Sequence, residues 1–120
     1  MEVTVGPHGW GYGGGWGKRG EWMALWVLVM VAEGPVHGYE ILTRLREAGI
    51  PLNPGTLYRT LRTLEAQGLV ESRWVMCGGP ARRLYRITPQ GWAHLRELRD
   101  LLQEQKRALE EVMERINKLG

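Results

Sequence analysis

The chain has 120 residues, 43% of them apolar, with a net charge of +3 and a pI near 9.4. That length and composition allow one compact domain with an appendage and exclude a chain disordered throughout. The longest apolar run, Met23 to Ala32, has ten residues. It is too short to cross a bilayer and lacks the context of a secretion signal, so a cytoplasmic protein is expected.

Charge is unevenly placed. Residues 21–88 carry eight basic side chains, all arginine, against six glutamates, whereas residues 89–120 carry six of each sign. The excess therefore sits in the middle segment, where a nucleic-acid partner is plausible on charge alone. A single cysteine, Cys77, rules out an internal disulfide framework and suits a reducing compartment.

Residues 1–20 hold eight glycines interleaved with Trp10, Tyr12 and Trp16. Glycine at this density predicts a flexible arm. The aromatics leave open an arm that packs on DNA or on a dimer surface. A first helix is expected from about Glu21 to Glu33, apolar on nearly all sides and so buried on more than one, and stopped at Gly34-Pro35. A second follows from about His37 to Ala48, with Ile41, Leu42 and Leu45 inward and Gly49 as its stop. The third has the clearest start: Asn53 as N-cap, Pro54 in the first turn, Leu57, Leu61 and Leu64 on one face, and Gly68 at its end.

The period then changes from helix to strand. Leu69 to Met76 and Arg82 to Thr88 read as the two arms of a hairpin around a Cys77–Ala81 turn. Thr88 and Pro89 open a last helix with an apolar stripe of Leu95, Leu98, Leu102, Leu109, Val112, Ile116 and Leu119, interrupted at Gln105. The alternating spacings of three and four form a heptad seam. A body of about seventy residues cannot cover a helix of roughly 45 Å, so a second copy of the chain is the expected partner. Gln105 either sets register or is tolerated.

The predicted organisation is thus an arm over 1–20, a winged helix-turn-helix domain over 21–88 and a dimerisation helix over 89–120. The fold class is mainly α with a small β-hairpin. The second helix of such a motif enters the major groove by its N-terminal end. Gly55 leaves room for a backbone to approach. Thr56 and Tyr58 offer hydroxyls, and Arg59 and Arg62 can pair with phosphates or guanine edges. Arg82 and Arg83, after a glycine-rich tip, fit a wing laid along the DNA backbone or minor groove. Each of these also reads as a solvated face, or as solubilising charge on an edge hairpin.

Taken together, His37-Gly38-Tyr39-Glu40, Gly55-Thr56-Leu57-Tyr58, Leu64-Glu65, Gly68-Leu69-Val70 and the stretch from Gly78-Gly79 through Arg82-Arg83-Leu84-Tyr85-Arg86-Ile87-Thr88 to Gly91 resemble the PadR family, over about residues 22–95. The short chain with one tail helix is similar to the smaller PadR subfamily. The resemblance implies a dimeric repressor released from a pseudo-palindromic operator by a small molecule or another signal. It implies backbone contacts to DNA from Tyr39, Asn53, Gly55, Thr56 and Tyr58, and wing contacts from Arg82 and Arg83. Some relatives hold flat aromatic drugs between tail-helix tryptophans; the equivalent position here is Leu102. Trp22, Trp26 and Trp92 are left as either core packing or a different effector pocket.

Other chemistry is weaker. His8, His37 and His94 have no metal-ligand spacing with Cys77. No cofactor is expected. No catalytic set can be assembled, so an enzyme is not expected. Cys77 is either incidental or a redox sensor among arginines. The alternative to a DNA-binding regulator is a winged-helix protein-interaction module whose tail is a docking coiled coil.

Overall fold

In the computed structural model, residues 19–76 and 78–120 are described. The predicted arm and Cys77 therefore lie outside the described residues, except Arg19 and Gly20, which open the first helix.

The elements run α1 (Arg19–Ala32), β1 (Val36–His37), α2 (Gly38–Glu47), α3 (Pro54–Ala66), β2 (Val70–Val75), β3 (Arg82–Ile87) and α4 (Pro89–Leu119). The fold is mainly helical, with a three-stranded antiparallel sheet in the order β1-β3-β2.

Helix α1 is buried on two sides, as its all-round apolarity requires. Val27, Leu28, Met30 and Val31 join Ile41, Leu42 and Leu45 of α2 and Leu57, Leu61 and Leu64 of α3 in the main core. Leu25 turns instead to Leu98 of α4. Helices α2 and α3 end alike. Gly49 and Gly68 have φ of +81° and +79°, the left-handed conformation in which a side chain is strained. Behind each glycine the chain folds back, Ile50 N–H onto Leu45 O at 2.8 Å and Leu69 N–H onto Leu64 O at 3.0 Å. This paired closure satisfies the last helical carbonyls.

Strand β1 is an element that the sequence pattern does not predict. Its two residues pair Val36 with Tyr85 and His37 with Leu84. His37 thus both ends a strand and caps α2, and its N–H donates to Glu40 Oε1 at 2.9 Å in the first turn of that helix. The hairpin β2–β3 keeps a continuous register from Val70 opposite Ile87 to Val75 opposite Arg82.

Two caps set the remaining helices. Asn53 Oδ1 accepts from Thr56 N–H at 2.8 Å at the start of α3. Asn53→Ala should lower stability by about 1 kcal/mol, and a chemical melt checks this; an unchanged midpoint means the cap is dispensable. Thr88 Oγ1 accepts from Gly91 N–H at 3.0 Å and donates to Gly68 O at 2.6 Å, tying the start of α4 to the end of α3.

The α4 stripe divides into two parts. Leu98, predicted in a seam facing a second copy, is only 3% exposed and packs on Leu25, with Leu95 and Leu102 half-buried beside it. The reason is that α1 is apolar on a second face and supplies the cover. Beyond Leu102 every residue of α4 is exposed, Leu109, Val112, Ile116 and Leu119 among them. No helix among the described residues is long and apolar enough to cross a membrane.

Candidate nucleic-acid interface

Helix α3 buries Leu57, Leu61 and Leu64 and turns the rest of its surface outward. Asn53, Pro54, Gly55, Arg59 and Arg62 are exposed and Thr56 is half-buried. A Cβ added at Gly55 would meet only Asn53 Oδ1, at 3.4 Å. No tight internal packing dictates the glycine, and the helix end is open to an approaching backbone. Asn53 already accepts from the Thr56 N–H, and the positive dipole end of α3 still favours an anion there.

Tyr58 leaves α3 towards α2. A Cβ on Gly38 would come within 2.6 Å of the Tyr58 ring. The absent side chain therefore seats the ring against the first turn of α2, with Tyr58 still 37% exposed.

The start of α2, the outer side of α3 and the hairpin enclose a cleft of about 900 Å³. Tyr39, Tyr58 and Arg62 line it from the helices, and Trp74, Arg82, Arg83 and Tyr85 from the strands. Five predicted DNA contacts, Tyr39, Tyr58, Arg62, Arg82 and Arg83, are thus brought to one place by three separate parts of the fold. Asn53 and Thr56 line a second, smaller cleft of about 560 Å³ that includes Trp22 and the 49–52 turn. Arg59 and Gly55 lie outside both linings.

Strand alternation separates the two wing arginines. Arg82 stands opposite Val75, whereas Arg83 stands opposite Trp74. The Arg83 guanidinium lies 4.6 Å from the Trp74 ring centroid. Its Nη1 donates to Ser72 Oγ at 2.7 Å, and Ser72 donates to Glu65 Oε2 at 2.9 Å. The Arg83 carbonyl lies 3.1 Å from His37 Nδ1. Arg82 is exposed. Tyr85 forms the floor at 4% exposure, and burial raises its phenol above the ordinary tyrosine range, so it stays neutral.

Sequence reasoning missed Glu65, Ser72, Trp74 and Tyr85 as site residues. Ser72 and Trp74 alternate along β2, a signal that becomes readable only with the register against Arg83. The three tryptophans offered as core packing or an effector pocket lie on α1 and on the start of α4. Trp22 and Trp26 meet edge to face at 6.5 Å, Trp22 alone lines the smaller cleft, and Trp92 lies 44% exposed on the first turns of α4. Trp26, one turn further along the same face, packs against the main core.

Comparison with known proteins identifies the family and the fold. Residues 27–97 match the family described as transcriptional regulator PadR-like. The chain is 45% identical over 80 residues to a curated transcriptional regulator of Mycobacterium tuberculosis, Rv3488, covering 67% of this chain and 75% of that one. Among solved structures it resembles the conserved protein TM0937, described as a potential transcriptional factor, at 37% identity and a TM-score of 0.75, over 98% of this chain and 97% of that one. Bacillus subtilis PadR, solved with operator DNA, shares the fold at 21% identity and a TM-score of 0.59, over 63% of this chain and 45% of that one.

Proposed function

Because this chain belongs to the PadR-like family of transcriptional regulators, and not to a family of enzymes, we propose that it acts in the cytoplasm as a homodimeric, sequence-specific DNA-binding repressor. Helix α3 enters the major groove with Gly55 and Thr56 leading. Arg59 and Arg62 reach base edges or phosphates, Tyr39 and Tyr58 flank the backbone, and Arg82 extends the contact along the wing. Bacillus subtilis PadR, of the same fold, was solved on operator DNA, which supports a DNA-binding role.

The strongest support is the convergence of Tyr39, Tyr58 and Arg62 from α2 and α3 on one open cleft walled by the hairpin. No single helix needs that arrangement for its own stability. A response to a small aromatic effector fits the family resemblance.

Selection from random duplexes tests the reading. A recovered pseudo-palindrome, bound with affinity that falls steeply with salt, is expected. Binding to no duplex, with a protein partner seated on the tail helix, contradicts it and favours an interaction module. On the selected duplex, Arg82→Ala should reduce the slope of log K against log salt by about 0.9 for each phosphate no longer neutralised, hence by about 1.8 for a dimer. An unaltered slope removes Arg82 from the DNA-contacting set.

A further inference from the structure

We propose that Arg83, unlike its neighbour Arg82, is a positioning residue: the chain Arg83–Ser72–Glu65 sets the angle of the wing against the recognition helix. This rests on the DNA-binding reading of the cleft. The consecutive arginines look equivalent in sequence, yet the pleat places them on opposite faces of the hairpin.

A two-stranded hairpin has little rigidity of its own, so its aim depends on what it packs against. Here one hydroxyl joins three elements. Ser72 of β2 accepts from Arg83 of β3 at 2.7 Å and donates to Glu65 of α3 at 2.9 Å. Both bonds involve an ionised group, which makes them stronger than neutral ones. Stacking on Trp74 fixes the plane of the guanidinium, 4.6 Å from the ring centroid. The Arg83 carbonyl, within 3.1 Å of His37 Nδ1, ties the same residue to the start of α2. Arg83 is half-buried, while Arg82 is exposed. A charge already shared with Ser72 and a ring is poorly placed to take a phosphate as well. It is well placed to hold Arg82 where a phosphate will be.

Lysine would keep the charge but not the planar fork. The test therefore compares Arg83→Lys and Ser72→Ala with Arg73→Lys, a change at an exposed β2 arginine outside the cleft lining. Each is titrated against the duplex recovered by selection and against a mixed-sequence duplex. Amide exchange over residues 70–87 of the DNA-free protein is measured in parallel. Arg83→Lys and Ser72→Ala should each weaken the selected duplex about tenfold, with a double variant little worse than either single one, as coupled residues require. Both should speed exchange in the hairpin without DNA present. Arg73→Lys should bind as the parent does. Arg83→Lys binding as the parent, or Ser72→Ala leaving affinity unchanged, overturns the positioning role alone. A parent chain with no duplex preference sinks the DNA reading, whatever the exchange data show.

Discussion

Gly91→Ala should cost about 2–4 kcal/mol of folding stability, a drop in Tm of roughly 10–20 °C for a domain of this size. The expected sign is opposite to helix propensity. Gly91 lies in the first turn of α4, where alanine is intrinsically favoured by about 1 kcal/mol. A methyl group there would meet the carbonyl oxygen of Leu69 and would stand 2.6 Å from Ile87 Cγ1. The carbonyl is backbone and cannot swing aside. It already accepts from Thr88 N–H at 3.1 Å. Either α4 shifts off the sheet or the Thr88 junction with Gly68 and Leu69 opens. Gly79→Ala serves as the control, because its added Cβ meets nothing within 4 Å. A thermal melt of both variants decides the matter. Equal Tm values would mean that α4 docks differently from the arrangement described.

The second large effect concerns the free half of α4. Ile116→Asp should convert a dimer to a monomer and lower affinity for a full operator by about 10²–10⁴, the loss expected when two linked reading heads become independent. Ile116 is 58% exposed in the single chain, and Leu109, Val112 and Leu119 share its stripe at 62%, 52% and 86%. A contiguous apolar face of this kind on an otherwise charged helix needs a cover, and the proposed dimer would supply it with a matching helix in the geometry of the heptad. An aspartate there would be buried without a partner on either chain. The core of the protomer lies elsewhere, so circular dichroism of the variant should remain helical. Sedimentation at micromolar concentration reads the mass. A variant that stays dimeric places the interface on another surface.

Most of the helical framework is legible in the sequence, because each boundary carries a local signal. Asn53-Pro54 and Thr88-Pro89 cap as expected, and Gly49 and Gly68 close their helices by left-handed turns. Strand β1 is not legible. Two residues have no period, and their pairing with Leu84 and Tyr85 is a long-range fact. The split of the α4 stripe is hidden for a related reason. Heptad spacing states which positions share a face, but not that α1 would cover Leu98 while leaving Ile116 bare. At the site, the resemblance supplies Tyr39, Tyr58, Arg82 and Arg83, and the cleft contains all four. It does not separate Arg82 from Arg83, since only the register of β2 and β3 shows which arginine stands beside Trp74.

If two copies present paired recognition helices to two half-sites, a full selected duplex and its separated halves must behave differently in titration with the protein. Two chains should bind per full duplex, with affinity at least about 100-fold above that for either half. One chain per duplex, with full and half duplexes bound equally, would contradict the paired arrangement.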